Sequence, residues 1–172
     1  MIKIVTHRPD YGSFGIFDKK NGTYPDVMKV SKENVEKGFS VFSGGIRIRV
    51  LSEYSLIQVE IQYEESIGKL RAEKFDEWDH IVEVPFDISS NRLYFKSNTD
   101  PEPFEIIETK SGCHRVRIYW GGQYSGQLDG SSKDFYFFQI WPSDDPTTKY
   151  LKGSEDWPLP TQPCDEIFTK TK

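Results

Sequence analysis

The densest group of ionisable residues in this chain runs from Asp76 to His80 and includes Glu77 and Asp79. Further aspartates stand on later predicted loops, at Asp129, Asp144 and Asp145. Carboxylates on neighbouring loops of a β-sandwich can bind Ca²⁺, which takes several oxygen ligands. These aspartates lack the spacing of a calcium loop, and Asp is common in turns for conformational reasons alone. The sequence therefore predicts no metal site and places these carboxylates on the surface.

Nucleophilic catalysis needs a histidine beside an exposed serine or cysteine. The chain has three histidines, His7, His80 and His114, and Cys113 directly precedes His114. Adjacent residues of a strand point to opposite faces, so Cys113 and His114 are poorly placed as a catalytic pair. The sequence contains neither a G-x-S-x-G elbow nor an H-E-x-x-H zinc motif. We therefore predict that the chain is not an enzyme and uses no cofactor.

Four arginines lie on the polar faces of two predicted strands, at positions Arg47, Arg49, Arg115 and Arg117. Such a stripe could hold phosphate. Alternatively, the arginines pair across strands with acidic residues such as Glu60, Glu83 and Glu108. The acidic partners are as numerous as the arginines, so the sequence favours pairing.

Several large aromatic residues border the Gly-, Ser- and Asp-rich segment 121–133, namely Tyr119, Trp120, Tyr124 and Trp141. Tyr and Trp are enriched at protein interfaces, where they supply much contact area at low entropic cost. Aromatic rings also form platforms for sugars. The sequence predicts that these side chains are exposed and bind a partner or ligand.

Most of the chain alternates apolar and polar residues, as in 46–50, 57–63 and 115–120. A period of two predicts strands with one buried face. We predict an all-β fold, a two-sheet antiparallel β-sandwich with one short helix from Ser31 to Gly38. The domain spans residues 1–152, and a Pro-rich tail follows at 153–172.

Further predictions concern individual segments of the chain. Residues 135–141 are apolar on both faces, which predicts a central or doubly covered strand. Segments 104–108 and 114–120 are predicted to pair as a hairpin, and 64–76 to form a long loop. Pro85 favours an edge strand or a strand end.

The net charge of −5 argues against direct nucleic-acid binding and permits a basic protein partner. The start MIKIVTH has no long apolar run and no small-residue cleavage site, so we predict no signal peptide and no association with a membrane. The two cysteines form no disulfide framework, which indicates a reducing, cytoplasmic compartment.

Several structural motifs together resemble the competence protein J family and its uncharacterised bacterial relatives. The matching segments lie between about residues 30 and 152, and are VEKGF at 35–39, EWDHIVEVP at 77–85, Gly112 with RVR at 115–117, DFY at 134–136, and WP at 141–142. The best-known member of that family inhibits a DNA-entry nuclease. The resemblance implies a β-sandwich and an acidic, non-enzymatic protein that blocks a nuclease or toxin.

The resulting hypothesis is a binding protein that masks a nuclease or toxin, in the manner of an immunity protein. Its predicted contacts are the carboxylates of Asp76, Glu77, Asp79 and Asp129, with Trp120 and Tyr124 as anchors. The alternative is a calcium-dependent or aromatic-platform sandwich that binds carbohydrate or lipid head groups.

Overall fold

A computed structural model describes residues 1–9, 12–19, 38–50, 56–97, 99–122 and 134–153. These residues form eleven β-strands, which in chain order are β1 (Ile2–His7), β2 (Ser13–Phe17), β3 (Phe39–Phe42), β4 (Gly45–Arg49), β5 (Ile57–Tyr63), β6 (His80–Ile88), β7 (Arg92–Ser97), β8 (Glu105–Glu108), β9 (Gly112–Gly121), β10 (Phe135–Pro142) and β11 (Lys149–Lys152). Two short 3₁₀ turns, Ile67–Lys69 and Phe75–Glu77, interrupt the connection between β5 and β6.

The strands form two sheets that pack face to face. The first sheet has the order β1-β5-β10-β9-β6-β11, and the second has the order β3-β4-β2-β7-β8. The apolar faces of both sheets meet in one core, which includes Ile16 and Phe95 from the second sheet and Val59, Ile118 and Phe138 from the first. The predicted β-sandwich is therefore confirmed.

Strand β10 occupies the centre of the first sheet, as its two apolar faces predict. It pairs antiparallel with β9 and parallel with β5, and Phe138 lies opposite Ile118 on one side and Ile61 on the other. The parallel pair is a departure from the predicted antiparallel pattern. Between β5 and β10 the chain passes through strands of both sheets, and this long connection allows the two strands to run in the same direction.

The predicted hairpin between segments 104–108 and 114–120 is wrong. Strand β8 pairs with β7 in the second sheet, whereas β9 belongs to the first sheet. Residues 109–111 cross between the sheets instead of closing a hairpin. The backbone N–H groups of Thr109 and Ser111 donate to the backbone and side-chain oxygens of Asn91, at 2.9 and 2.8 Å.

Asn91 belongs to the other crossing, where β6 of the first sheet continues into β7 of the second. Asp18, at the end of β2, holds this crossing from the second sheet. Its carboxylate accepts bonds from the backbone N–H groups of Ser89 and Ser90, at 2.9 and 3.0 Å, and from both hydroxyls. Burial alone would raise the pKa of Asp18, but these hydrogen bonds outweigh it and lower the pKa.

Pro85 does not mark an edge strand, because β6 pairs with β9 on one side and with β11 on the other. The pairing with β11 reaches only Ile81, Val82 and Glu83. Pro85 therefore lies in the half of β6 that has one partner strand, where a missing N–H breaks no ladder on the open side. The strand β11 was not predicted, since only Tyr150 of its four residues packs on the core.

Two sequence predictions fall outside the described residues. The helix at Ser31–Gly38 does so except for Gly38, and the proposed tail does so except for Gly153. The division into a domain at 1–152 and a tail at 153–172 therefore stays a prediction.

Replacing Asp18 by alanine is expected to destabilise the protein by about 1–3 kcal/mol, because it removes a buried carboxylate that accepts four hydrogen bonds at the crossing. Urea unfolding of the variant measures this decrease in stability. Asp87→Ala is the matched control, since Asp87 is an exposed carboxylate on the neighbouring strand β6. An equal decrease in both variants would contradict the role of Asp18 as a clamp.

Candidate functional site

The outer face of the first sheet, which points away from the shared core, carries two transverse rows of side chains. One row is polar and crosses four adjacent strands through Gln62, Gln139, Arg117 and Glu83, which are register partners. The neighbouring row continues through Phe137, Tyr119 and Ile81. The outer face of the first sheet therefore has a polar half and an apolar half.

Glu83 is buried and forms ion pairs with two arginines. Its Oε2 atom accepts from Arg115 Nε at 3.2 Å, and its Oε1 atom accepts from Arg117 Nε at 2.6 Å. Arg115 also donates to the backbone oxygens of Asp145 and Thr147, at 2.9 and 2.7 Å. The buried charges are thus paired and hydrogen-bonded, as low-dielectric surroundings require.

Gln139, which is fully buried, connects this arginine pair to the loop that covers the sheet. Its Oε1 atom accepts from the Tyr119 hydroxyl at 2.7 Å and from Arg117 at 3.3 Å. Its Nε2 atom donates to the backbone oxygen of Arg71 at 2.7 Å and to Gln62 Oε1 at 3.2 Å. Gln62 Oε1 in turn accepts from the Arg71 N–H at 3.0 Å.

Residues 64–79, which we call the covering loop, lie over this face. Trp78 is buried against Tyr119, Phe135 and Phe137, with ring centroids 5.0, 5.1 and 6.2 Å away. The Arg71 guanidinium lies 4.5 Å above the Phe137 ring and bonds Glu60 at 2.5 Å. The loop predicted for 64–76 is therefore ordered by the sheet beneath it.

Between these two anchors the covering loop presents the 3₁₀ turn Phe75–Glu77 to solvent. Asp76 and Glu77 are exposed, and Phe75 is 38% exposed although its ring meets the edge of Tyr119. Lys152 Nζ donates to the backbone oxygens of Phe75 and Asp76, at 2.9 and 3.3 Å, and fixes the turn from β11. We call this turn the acidic turn.

The structure brings three predicted site residues together in this region. Asp76 and Glu77 lie on the acidic turn, and Asp79 is half-buried where the chain enters β6. Glu77 also lies 3.4 Å from Lys74 in an exposed ion pair, which contributes little. Whether these carboxylates bind a partner stays a prediction.

The prediction that Trp120 is an exposed anchor is wrong, because its side chain is fully buried. It continues the inward face of β9 beyond Val116 and Ile118 and packs 5.9 Å from Phe39. Tyr119 and Trp141 face outward but are also buried, the first by Trp78 and the covering loop. The described aromatics therefore supply no broad exposed platform of the kind that the carbohydrate alternative needs.

Tyr124 and Asp129 lie outside the described residues, so their predicted roles are untested. Cys113 is an exposed, free thiol. Within the described ranges, no group of three or more His, Cys, Asp or Glu side chains is arranged to hold a metal ion. The same part of the chain contains no helix long and apolar enough to cross a membrane.

Pairing of the predicted basic stripe is confirmed for Arg115 and Arg117, which share Glu83. The other proposed acids have different partners: Glu60 pairs with Arg71, and Glu108 pairs with Arg92. Sequence reasoning did not single out Gln139, although a lone amide in an otherwise apolar strand signals a buried hydrogen-bond centre.

Gln139→Leu is expected to detach the covering loop, because it leaves the Arg71 carbonyl without its side-chain donor and the Tyr119 hydroxyl without its acceptor. We expect a decrease of about 1–3 kcal/mol in unfolding free energy and faster hydrogen exchange in residues 70–78. Arg92→Ala, which removes exposed interactions with Glu108 and Tyr94 in the second sheet, is the control. Unchanged exchange in Gln139→Leu would contradict the anchoring role.

Acid is expected to destabilise the protein below neutrality through His80, which lies beside the covering loop. Burial lowers its pKa from 6.5 to about 4, against the opposing charge of Asp79. As the pH falls, the unfolded state is protonated at His80 before the folded state is. The free energy of unfolding therefore keeps its full value above pH 6.5 and decreases by roughly 3 kcal/mol as the pH is lowered to about 4. Burial also lowers the pKa of His114, which acts in the same direction.

Urea unfolding across this pH range, in the wild type and in His80→Gln, measures the effect. The variant should show a flatter dependence, since the carboxylates and His114 titrate in both proteins. Identical dependences would contradict this assignment.

Solved structures of low sequence identity share this architecture. No protein-family model matches the sequence, and no curated protein matches it. The structure is similar to that of ComJ from Bacillus subtilis, described as the inhibitor of the DNA-degrading activity of NucA, at 19% identity and a TM-score of 0.61, over 83% of this chain and 99% of ComJ. It is also similar to the crocagin biosynthetic gene J protein, at 13% identity and a TM-score of 0.55, over 83% of this chain and 97% of that one. The resemblance predicted from the sequence is thus confirmed at the level of fold: the chain has the β-sandwich fold of ComJ.

Proposed function

We propose that this chain is a non-enzymatic binding protein that masks a basic partner, a nuclease or toxin, with its acidic turn. The observation that carries this proposal is the coincidence of a ComJ-like fold with an exposed, acidic and rigidly supported turn at Phe75–Glu77. ComJ is described as a nuclease inhibitor, and the shared fold supports the same kind of role here.

The composition of the acidic turn suits a basic protein surface. A nuclease must present cations to the phosphates of its substrate. Asp76 and Glu77 would meet such cations, and Phe75 between the sheet and solvent offers a partly exposed ring for the centre of an interface. Charges at the rim of an interface speed association, while a buried aromatic residue supplies much of the affinity.

The support beneath the turn favours binding as well. Lys152 fixes the turn from one side, and Trp78 and Arg71 fix the covering loop on either side of it. A segment that is already ordered loses little conformational entropy when a partner binds. The buried polar row centred on Gln139 therefore serves binding indirectly, by holding the loop in place.

The proposal also includes a reducing, cytoplasmic location. An exposed free thiol at Cys113 is compatible with such a compartment, where thiols stay reduced. Asp79 and the untested residues Tyr124 and Asp129 are assigned to the same binding surface.

In the first step of the test, the purified chain is immobilised and incubated with a lysate of its host, so that it captures any nuclease that binds it. After elution in high salt, the nuclease activity is assayed on DNA while purified chain is added back. We expect DNA degradation to fall to zero at a stoichiometric ratio. An eluate without nuclease or toxin activity would contradict the proposal.

The double variant Asp76→Lys, Glu77→Lys locates the surface. It is expected to raise the concentration for half-inhibition by about tenfold or more and to weaken the salt dependence of association, because it reverses rim charges that steer the partner. The control Asp87→Lys, Asp144→Lys makes the same change of net charge at exposed carboxylates elsewhere. Equal effects in both variants would exclude the acidic turn as the binding surface.

A further inference from the structure

Strand β1 is an edge of the first sheet, and among the described strands it pairs only with β5. The Tyr63 N–H donates to the Met1 carbonyl at 3.2 Å, which marks these two residues as a directly hydrogen-bonded pair. Because such pairs alternate along an antiparallel ladder, the backbone groups of Ile2, Ile4 and Thr6 point away from β5. No described residue forms a hydrogen bond with these groups. The outer edge of β1 therefore offers their N–H and C=O groups to another strand.

The exposed side chains of β1 are apolar, whereas edge strands commonly carry charges. Ile2 and Ile4 are 46% and 62% exposed and share the outer face of the first sheet. Lys3 points to the opposite face and is already paired, because its Nζ atom donates to Glu105 Oε1 at 2.6 Å. A strand added to this edge would remove apolar surface from water and would meet no unpaired charge on β1 itself.

The other three edges of the two described sheets carry features that oppose strand addition. At the edge of β8, the Ile106 N–H donates to Glu105 Oε1 at 2.9 Å, and the Ile106 carbonyl accepts from Lys3 at 3.1 Å. Strand β11 carries Lys149 and Lys152, and its register shifts at a bulge. Strand β3 has only four residues. Occupied backbone groups, lysines, bulges and short length all protect sheet edges, and β1 has a regular register without them.

The edge of β1 is complementary to a second copy of itself. An antiparallel pair centred on Ile4 places the two Ile4 residues opposite each other and Ile2 opposite Thr6, and all of these have outward-pointing backbone groups. The resulting pairs would form about six backbone hydrogen bonds. A shift by one residue would bring outward-pointing groups opposite inward-pointing ones, and a shift by two would form fewer bonds. The register of the pair is therefore defined.

The same register brings opposite charges together at each end of the pair. Arg8 follows β1, is exposed, and has neither an ion pair nor a hydrogen bond in the described part of the chain. In a pair centred on Ile4, it lies just beyond Met1 of the second copy, where Glu64 follows β5. Glu64 Oε1 accepts from the Met1 amino group, whereas no described group bonds its Oε2 atom. Two symmetric contacts between Arg8 and Glu64 would therefore favour a second copy.

We propose that two copies of this chain pair through β1 and form one continuous sheet across a two-fold axis at Ile4. Symmetric pairing occupies the open edge of both copies, so assembly stops at the dimer. A pair of six-residue strands buries less area than an obligate dimer interface, and we expect a dissociation constant of about 1–100 µM. An extended segment of another protein could bond the same backbone groups, but a second copy also supplies Glu64 for Arg8. This inference does not rest on the proposed masking function, and its test contains no partner protein.

The test is sedimentation equilibrium of the purified chain from about 2 to 500 µM, a range that spans the expected dissociation constant. The average mass should rise from 20.0 kDa toward about twice that value. Ile4→Lys places two like charges on the two-fold axis and should raise the dissociation constant by about tenfold or more. The control Val41→Lys makes a comparable change at a residue of β3 that is 38% exposed, and it should alter the constant by less than about twofold. Thermal melting confirms that both variants are folded.

Single cysteines test the register of the pair, in a background where Cys113 and Cys164 are replaced by serine. Ile4→Cys should form a disulfide-linked dimer on mild oxidation, because the Cα atoms of opposite residues in such a pair are about 5.5 Å apart. Ile2→Cys is the matched control and should stay unlinked, because it is offset from its own copy by about 13 Å along the strand.

A mass that stays at 20.0 kDa over the whole concentration range would overturn the proposal and leave the β1 edge for a segment of a different protein. Equal weakening by Ile4→Lys and Val41→Lys would also overturn it, because the dimer would then form through another surface. Equal cross-linking of Ile2→Cys and Ile4→Cys would exclude the pair centred on Ile4.

Discussion

The constraint on which this structure depends is that its central strand is apolar on both faces. One face of β10 fills the core between the sheets through Tyr136, Phe138 and Ile140. The other face would place Phe137 and Trp141 in water if nothing covered them, which would cost several kcal/mol of hydrophobic free energy, on the order of 2 for each ring. The covering loop and the arginine side chains remove that surface from solvent.

Covering an outer sheet face with a loop creates a second problem, because a loop brings backbone groups that need partners. The polar row on β5, β10, β9 and β6 supplies them. Gln139 and Gln62 bond the loop backbone at Arg71, and Glu83 neutralises the arginines that share the face. The acidic turn is thus exposed by the same arrangement that keeps the loop bound.

The alternation of residues was enough to predict most strands and the sandwich, since period two reports which face is buried. It did not predict which strands pair, and the hairpin between β8 and β9 failed for this reason. The crossings between the sheets are held by Asn91 and Asp18, which lie far in sequence from the backbone groups that they bond. Trp120 was misplaced because proximity to a loop was weighed above its position on the inward face of β9. Conversely, the pairing of Arg115 and Arg117 with Glu83 was predictable from cross-strand charge alone.

The parallel pair of β5 and β10 has a consequence for how the chain folds. Strand β5 sits between β1 and β10, so the first sheet cannot close until the chain has been synthesised beyond Pro142. Contacts of such long sequence separation form late and slow the folding of β-proteins. During synthesis on the ribosome, the edge of β5 that later pairs with β10 stays unpaired and can pair with a strand of another chain. The nascent chain is therefore vulnerable to aggregation until its central strand arrives, and a chaperone that shields the first half of the chain would act at that stage.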